Sequence, residues 1–581
     1  MSTTTPLRLP PLAQRRAALE SRHPTWVPRT LHGSLDEAAR LWPDRPYVIT
    51  DWADWTYADI RDRSIRLAAA LIASGVRPGE HVAVVMANCP EFVAVKYAIS
   101  RVGAAAVPVN FLNRRDELAH VLADSQAALL IVMDQHRDLD YLGMLDEIIP
   151  DWPRHGGGTR LPNLREVVVF DTHGTLLPSG TRSLAEVEAA APAAMMMPIV
   201  GPESVADLIY TSGTTGGPKG VLLTHDMLLR TAYAAAYARG FQDGRRIHFA
   251  LPMYHVFGYV EGMLPVTFVG GAIIPHVAFD PQASLDAIEN HRANDMLAIP
   301  LMTRAVLDAQ LERVAAGHPA ELSSLTSLLS SGTASPPGLW DRIDTELGCR
   351  EITTGYGMSE TTASTTVTRP DDPPARRRGT NGRPRDAGAA GDPRLGGRLV
   401  VHRCVDPRTG LDVGRSAIGE LQAFGPGVTP GYWNKPEATA AAFTADGWLR
   451  TGDLASIDDD EYVVLLGRAN DCYRCGGEQV VPKDAEDVLL SHPAVAQAHV
   501  VPVADPRMGE AGAAFVVARP GLEVSADELG AWAAQRLARF KVPRHFFLVE
   551  AGEIPLTASG RPRKFLLAQQ AESLLQKGVS G

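Results

Sequence analysis

A chain of 581 residues is longer than one hydrophobic core usually supports, so it divides into roughly three to four domain-sized units. With 45% hydrophobic and 21% charged residues it has the make-up of a soluble globular enzyme, and no run reaches the apolar length of a membrane span. A formal net charge of −11 argues against a nucleic-acid surface, which needs a concentrated basic face that the short Arg376-Arg377-Arg378 run does not supply.

The opening MSTTTPLRLPPLAQRR has prolines and no apolar h-region, so it does not read as a secretory signal and the cytoplasm is the expected compartment. Between Leu67 and Leu122, helical patches (Leu67-AAALIASG, Pro90-EFVAVKYAISRVG) alternate with short apolar runs (His81-VAVVM, Ala104-AAVPVN). That is the pattern of βα units around a parallel sheet. It recurs at Ile247-HFALP, Gly271-AIIP and Met296-LAIP, so an α/β body extends to about Pro370. Proline, glycine and arginine dominate Asp371 to Gly397, which reads as irregular surface chain. Strand-like Arg398-LVVHR, Gly419-ELQAFG and Tyr462-VVLLG follow, giving a β subdomain over about 371–467. A compact α+β unit comes next, with helical Lys483-DAEDVLLSHP and Ser525-ADELGAWAAQRLARF and extended Val495-AQAHVVPV and Ala513-AFVVA. The expected division is 1–467, a hinge at 468–471, and 472–581. Five cysteines are few and odd in number, and the lone pair Cys472-Tyr-Arg-Cys475 lacks the partners that a structural zinc site needs.

The stretch TSGTTGGPKG, Thr211 to Gly220, reads as a phosphate cradle. Hydroxyls of Thr211, Ser212, Thr214 and Thr215, with backbone N–H groups freed by Gly213, Gly216 and Gly217, can wrap polyphosphate oxygens while Lys219 adds a positive charge. It is not a Walker A loop, because Gly220 rather than a hydroxyl residue follows Lys219. Kinase-type chemistry therefore loses support, and a nucleotide switch or acid activation remains.

Companion segments narrow the choice. GYGMSE (Gly355 to Glu360), GWLRTGD (Gly447 to Asp453), Gly467-Arg468 and Pro555-LTASG occur in that order after the loop. Together they resemble the acyl-adenylate-forming (AMP-binding) superfamily of acyl-CoA synthetases, luciferases and peptide-synthetase adenylation domains, over about Leu31 to Phe565. The resemblance implies an α/β fold: a large N-terminal domain of two α/β subdomains plus a β subdomain, with a small mobile α+β C-terminal domain. It also implies a two-step reaction. A small carboxylic acid attacks ATP to give acyl-AMP and pyrophosphate, and coenzyme A then displaces AMP.

By the same resemblance, Tyr356, between Gly355 and Gly357, stacks on adenine. Ser359 contacts the α-phosphate, Glu360 and Thr214 hold Mg²⁺, Asp453 takes the ribose hydroxyls, and Arg468 adds a ribose or phosphate contact. LPMYHVFGY, Leu251 to Tyr259, would wall the acid pocket through His255, Val256, Phe257, Gly258 and Tyr259, with Gly332 and Met358 opposite and His255 gating entry. Ser331-GTAS, with Gly332 and Thr333, would touch adenine through its backbone. Gly476, Gly477 and Glu478 match the segment that lines the pantetheine tunnel.

Two positions depart from the family pattern. The closing P-x-T-x-x-G usually continues into a lysine that bridges carboxylate and α-phosphate; here Arg561 stands there, keeping the charge on a wider, planar group. Lys564, three residues on, is expected to project elsewhere. The pivot, commonly Asp or Lys, is Asn470, which tolerates unusual backbone angles. The apolar wall favours an acyl chain or aryl acid over a charged group, and Val256 and Phe257 stand where the family's amino-acid activators place an aspartate, which makes an amino acid the less favoured substrate. The alternatives are an adenylation enzyme that loads a carrier-protein thiol, and a non-catalytic nucleotide binder degenerate at Arg561.

Overall fold

The computed structural model describes residues 9–211, 218–332, 335, 338–476, 478–557 and 561–576. Two seven-stranded sheets form its body, and each is parallel except for one antiparallel edge strand. In the first, the strands run in the order 351–353, 327–330, 295–298, 246–249, 272–275, 46–49 and 54–56. In the second the order is 219–224, 205–211, 105–108, 81–85, 129–133, 166–170 and 182–183.

Helices cover the faces of these sheets, so central strands such as His81–Val85 and Leu129–Met133 are buried at every position. That explains their continuous apolar runs. The helix Pro90–Val102 starts on a proline that needs no N–H partner and stops at Gly103, whose φ of 73° an L side chain rarely adopts. Almost all of it is buried, and its Lys96 is neutralised inside the core by Asp207 of the neighbouring sheet. An unpaired charge there would be strongly destabilising.

Apart from the small antiparallel hairpin at 135–140, the separate antiparallel sheets begin at Gly355. A three-stranded sheet (355–358, 363–367, 383–384) is followed by a four-stranded one (401–405, 419–424, 449–457, 463–468). Residues 371–397 are more ordered than their composition suggests, with a helix at Pro374–Gly379 and a strand at Arg383–Pro384. The arginines themselves fasten this stretch: Arg376 pairs with Asp458 and Asp460, and both Arg376 and Arg383 lie over the Tyr462 ring. A last sheet joins 478–480, 473–475, 509–518 and 495–505, with 545–548 parallel to 509–518, and it has its own apolar core under the helices Pro482–Leu490 and Ala526–Ala534. No helix among the described residues is long and apolar enough to cross a membrane.

Candidate active site

A cavity of about 580 Å³ opens at the carboxyl ends of the parallel strands. Residues just beyond four adjacent strands of the first sheet line it: His255 after 246–249, Ile299 after 295–298, Ser331 and Gly332 after 327–330, and Thr354 after 351–353. Asn110 and Thr211 reach it from the matching ends of the second sheet. Ligands of open α/β sheets bind at this end because side chains and free N–H groups converge there.

Of the predicted phosphate cradle, Thr211 and Lys219 face each other across an antiparallel pair and both line the cavity. Ser212, Gly213, Thr214 and Thr215 lie outside the described residues, as do Thr333 and Gly477. The segment thus joins strand to strand, unlike a Walker loop, which opens a helix.

Gly355, Tyr356, Gly357, Met358, Ser359 and Glu360 all line the cavity. Both glycines are obligatory for backbone approach: a Cβ on Gly355 would lie 2.3 Å from the Thr366 carbonyl oxygen, and one on Gly357 would lie 1.9 Å from that of Ala363. The strand turns through Ser359–Thr361, and Thr362 and Ala363 take left-handed φ values of 59° and 101°. Such strain at non-glycine residues is held by surrounding structure and gathers at functional sites. It presents Glu360, whose Oε1 accepts a hydrogen bond of 3.0 Å from Tyr432 Oη. Burial raises the Glu360 pKa and the Tyr432 bond opposes the rise.

Asp453 and Arg468 are cross-strand partners, so register alone brings them to one face. Arg468 Nε lies 2.9 Å from Asp453 Oδ1, and Tyr356 Oη donates to Asp453 Oδ2 at 2.6 Å. Each carboxylate oxygen keeps a further lone pair for an incoming hydroxyl. Asp453→Ala removes at once the partner of the buried Tyr356 hydroxyl and of the half-buried Arg468, and the apparent Kd for ATP is expected to rise about 10²-fold, with Asp453→Asn between it and wild type. Isothermal titration with ATP measures both.

Arg561 reaches this cavity from the C-terminal sheet's domain. Its Nε donates to the Gly332 carbonyl oxygen at 2.9 Å, and its backbone is clasped by Thr557, whose N–H donates to Arg561 O at 2.7 Å. Burial pushes the guanidinium pKa down, and Asp453 counters it. Lys564 lies elsewhere, 2.7 Å from Glu486 at the start of the helix Lys564–Gln576. His255, Val256 and Phe257 line the cavity together with Tyr254, Ile299 and Trp340. Burial, and then the Arg561 charge, lower the His255 pKa to about 4, so it is neutral at pH 7.

Gly258 and Tyr259 do not line the cavity. A Cβ on Gly258 would lie 2.5 Å from the Pro252 carbonyl oxygen, and Tyr259 turns into the core over Lys96. The short helix Val256–Gly258 and the π-helical turn Tyr259–Met263 point successive residues to opposite sides, which a linear reading of the segment does not convey. Gly476 and Glu478 lie outside the cavity on the hairpin 473–475/478–480. Asn470 falls in the turn Ala469–Asp471, and its side chain lies outside the described residues.

Sequence reasoning missed Tyr432, Thr451, Arg378, Trp340 and Arg563, all of which line the cavity. Pro430-Gly-Tyr-Trp433 looks like an ordinary turn, and Arg378 belongs to a run read only as surface charge. Among the described residues no three His, Cys, Asp or Glu side chains gather as an all-protein metal site would need. Glu360 nonetheless suits Mg²⁺, which takes one or two carboxylates and completes its shell with phosphate oxygens and water.

Comparison with known proteins shows the family. The profile of the AMP-binding enzymes matches residues 35–433, and that of the AMP-binding enzyme C-terminal domain matches 484–561. A feruloyl-CoA synthase of an Amycolatopsis species is 34% identical over 530 residues, covering 90% of this chain and 95% of the relative. The acyl-CoA ligase SID4 of Ajellomyces capsulatus is 30% identical over 568 residues, covering 94% and 92%. Among solved structures, the o-succinylbenzoate CoA synthetase MenE of Bacillus subtilis, in complex with its acyl-adenylate intermediate, is 26% identical. It superposes with a TM-score of 0.75 over 92% of this chain and 97% of its own. The chain belongs to the AMP-binding enzyme family.

Proposed function

We propose that this protein is an AMP-forming acid–thiol ligase that joins a carboxylic acid to coenzyme A through an acyl-adenylate. The observation that carries the reading is the convergence of Lys219, Tyr356, Ser359, Glu360, Asp453, Arg468 and Arg561 on one cavity with an uncharged wall at His255, Val256 and Phe257. A carboxylate oxygen attacks the α-phosphorus of ATP, the bond to the β-phosphate oxygen breaks, and pyrophosphate leaves. The thiol of coenzyme A then attacks the acyl carbon through its sulfur and releases its proton to solvent, the acyl–phosphate bond breaks, and AMP leaves with the bonding electron pair.

Tyr356 offers its ring to adenine while Asp453 holds its hydroxyl, and Asp453 with Arg468 receives the ribose. Thr211 and Lys219 take the leaving phosphates, with Ser359 beside the α-phosphate. Mg²⁺, held through Glu360, would offset phosphate charge when bound. Arg561 carries the positive charge between acid and α-phosphate, where charge builds in the first step. Neutral His255 adds no charge to the acid end, and the wall of Val256, Phe257, Ile299 and Trp340 suits an acid with an apolar or aromatic body. Gly476 and Glu478 are the described residues assigned to the thiol's path once the C-terminal domain turns about Asn470.

The test is product analysis by mass spectrometry with ATP, Mg²⁺ and a panel of fatty, benzoic and cinnamic acids, with and without coenzyme A. AMP and acyl-CoA together support the reading. Adenylate without acyl-CoA points to a carrier-protein thiol as acceptor, and ATP binding without AMP across the panel overturns it.

A further inference from the structure

We propose that Tyr432 is a positioning residue that fixes Lys219 and Glu360 relative to one another, and so sets the nucleotide's phosphates against their divalent cation. This rests on the proposed ligase function. Lys219 and Glu360 belong to different sheets: one begins the edge strand Lys219–Thr224 of a parallel-sheet body, the other sits in the turn of the three-stranded antiparallel sheet. Among the described residues, no pairing within either sheet fixes the distance between them.

Tyr432 touches both. Its ring lies 5.1 Å from the Lys219 ammonium, and its hydroxyl donates to Glu360 Oε1 at 3.0 Å. One aromatic side chain thus gives a π face to the phosphate-side cation and a hydrogen bond to the metal-side carboxylate.

The segment that carries it is stitched to both partners. Trp433 N–H donates to the Gly220 carbonyl oxygen at 2.8 Å and Leu222 N–H to that of Gly431 at 3.1 Å, which ties the segment to the Lys219 strand. Thr429 N–H donates to the Glu360 carbonyl oxygen at 2.8 Å, which ties it to the turn. Gly431 has a φ of +147°, and a Cβ there would meet Thr439 Cγ2 at 2.5 Å, so the approach to Tyr432 is fixed by the backbone. A tyrosine present only to fill space would not need its hydroxyl on a buried carboxylate. Outer partners of metal-binding carboxylates orient those carboxylates, and their loss commonly weakens metal binding 10- to 100-fold.

The experiment is calorimetric ATP binding to the full chain without any acid, in EDTA and then with Mg²⁺ titrated at fixed ATP. Tyr432→Phe keeps the ring and is expected to leave the EDTA affinity within about twofold of wild type while raising the half-saturating Mg²⁺ about tenfold or more. Tyr432→Ala, which also removes the ring from Lys219, is expected to weaken ATP binding in EDTA as well. Glu360→Gln combined with Tyr432→Phe is expected to add nothing to Glu360→Gln alone. A half-saturating Mg²⁺ for Tyr432→Phe equal to wild type, or additive effects in the double variant, overturns the inference while leaving the proposed function standing. Wild-type ATP binding indifferent to Mg²⁺ overturns both.

Discussion

Arg561→Ala is expected to lower acid-dependent ATP–pyrophosphate exchange by about 10²–10³-fold, the usual loss when one preorganised donor is removed from a developing negative charge. The guanidinium is held in place for this role. Its Nε donates to the Gly332 carbonyl oxygen, which leaves the terminal nitrogens of the fork for ligand oxygens. The Thr557 clasp fixes the backbone on which it stands. Arg561→Lys places a point charge where the fork was. It has no separate nitrogen to keep the Gly332 bond, so exchange is expected to fall about tenfold rather than to rise. Lys564→Ala, which breaks the pair with Glu486 outside the cavity, should stay within about threefold of wild type. Exchange rates of Arg561→Ala and Lys564→Ala that match each other would show that the charge at 561 has no part in adenylation.

The second large effect is on stability. The protein is expected to unfold cooperatively as the pH falls from about 6.5 towards 4, because several buried histidines are held neutral. Burial lowers the pKa of His23 to about 4 and those of His225 and His248 to about 3. His225 accepts the Leu31 N–H at Nδ1, so a proton there breaks a bond. His248 already donates from Nδ1 to the Ile274 carbonyl oxygen, and a second proton would charge a ring buried in the core. The sign is fixed by where protons bind first. Above pH about 6.5 neither state binds them, and below it the unfolded chain does so while the folded protein resists. Stability therefore falls through the window between the ordinary and the lowered values, by about 1.4 kcal/mol per unit for each group. Buried acids raised by desolvation, Glu360 and Asp471, act in the opposite sense. Circular dichroism against pH reads the midpoint, and His248→Asn should move it down by about half a unit or more. An unchanged midpoint in that variant would mean His248 does not resist protonation in the folded state.

Much of the site was legible because its chemistry is local. A glycine- and hydroxyl-rich run ending in Lys219-Gly220 excludes one phosphate loop and admits another, and Gly355 and Gly357 mark a strand pressed against its neighbour. The repeated short apolar runs before Pro370 pointed to the parallel sheets, since strands buried on both faces need no polar alternation. Residues 371–397 were misread because composition records proline and arginine but not the Tyr462 ring on which the arginines settle. Gly258 and Tyr259 were misassigned because a π-helical turn changes which way successive side chains face.

The sequence by itself therefore determined the class of fold, the family order of its motifs and the chemical types present, all of which depend on neighbours a few residues apart. Only the tertiary structure decided which distant side chains meet. Strand register sets Asp453 opposite Arg468, a loop from the last domain lays Arg561 on the Gly332 carbonyl, and a turn unremarkable in sequence carries Tyr432 between Lys219 and Glu360. The physical reason is that such meetings depend on how whole sheets pack, and packing is a property of many residues that no short stretch contains.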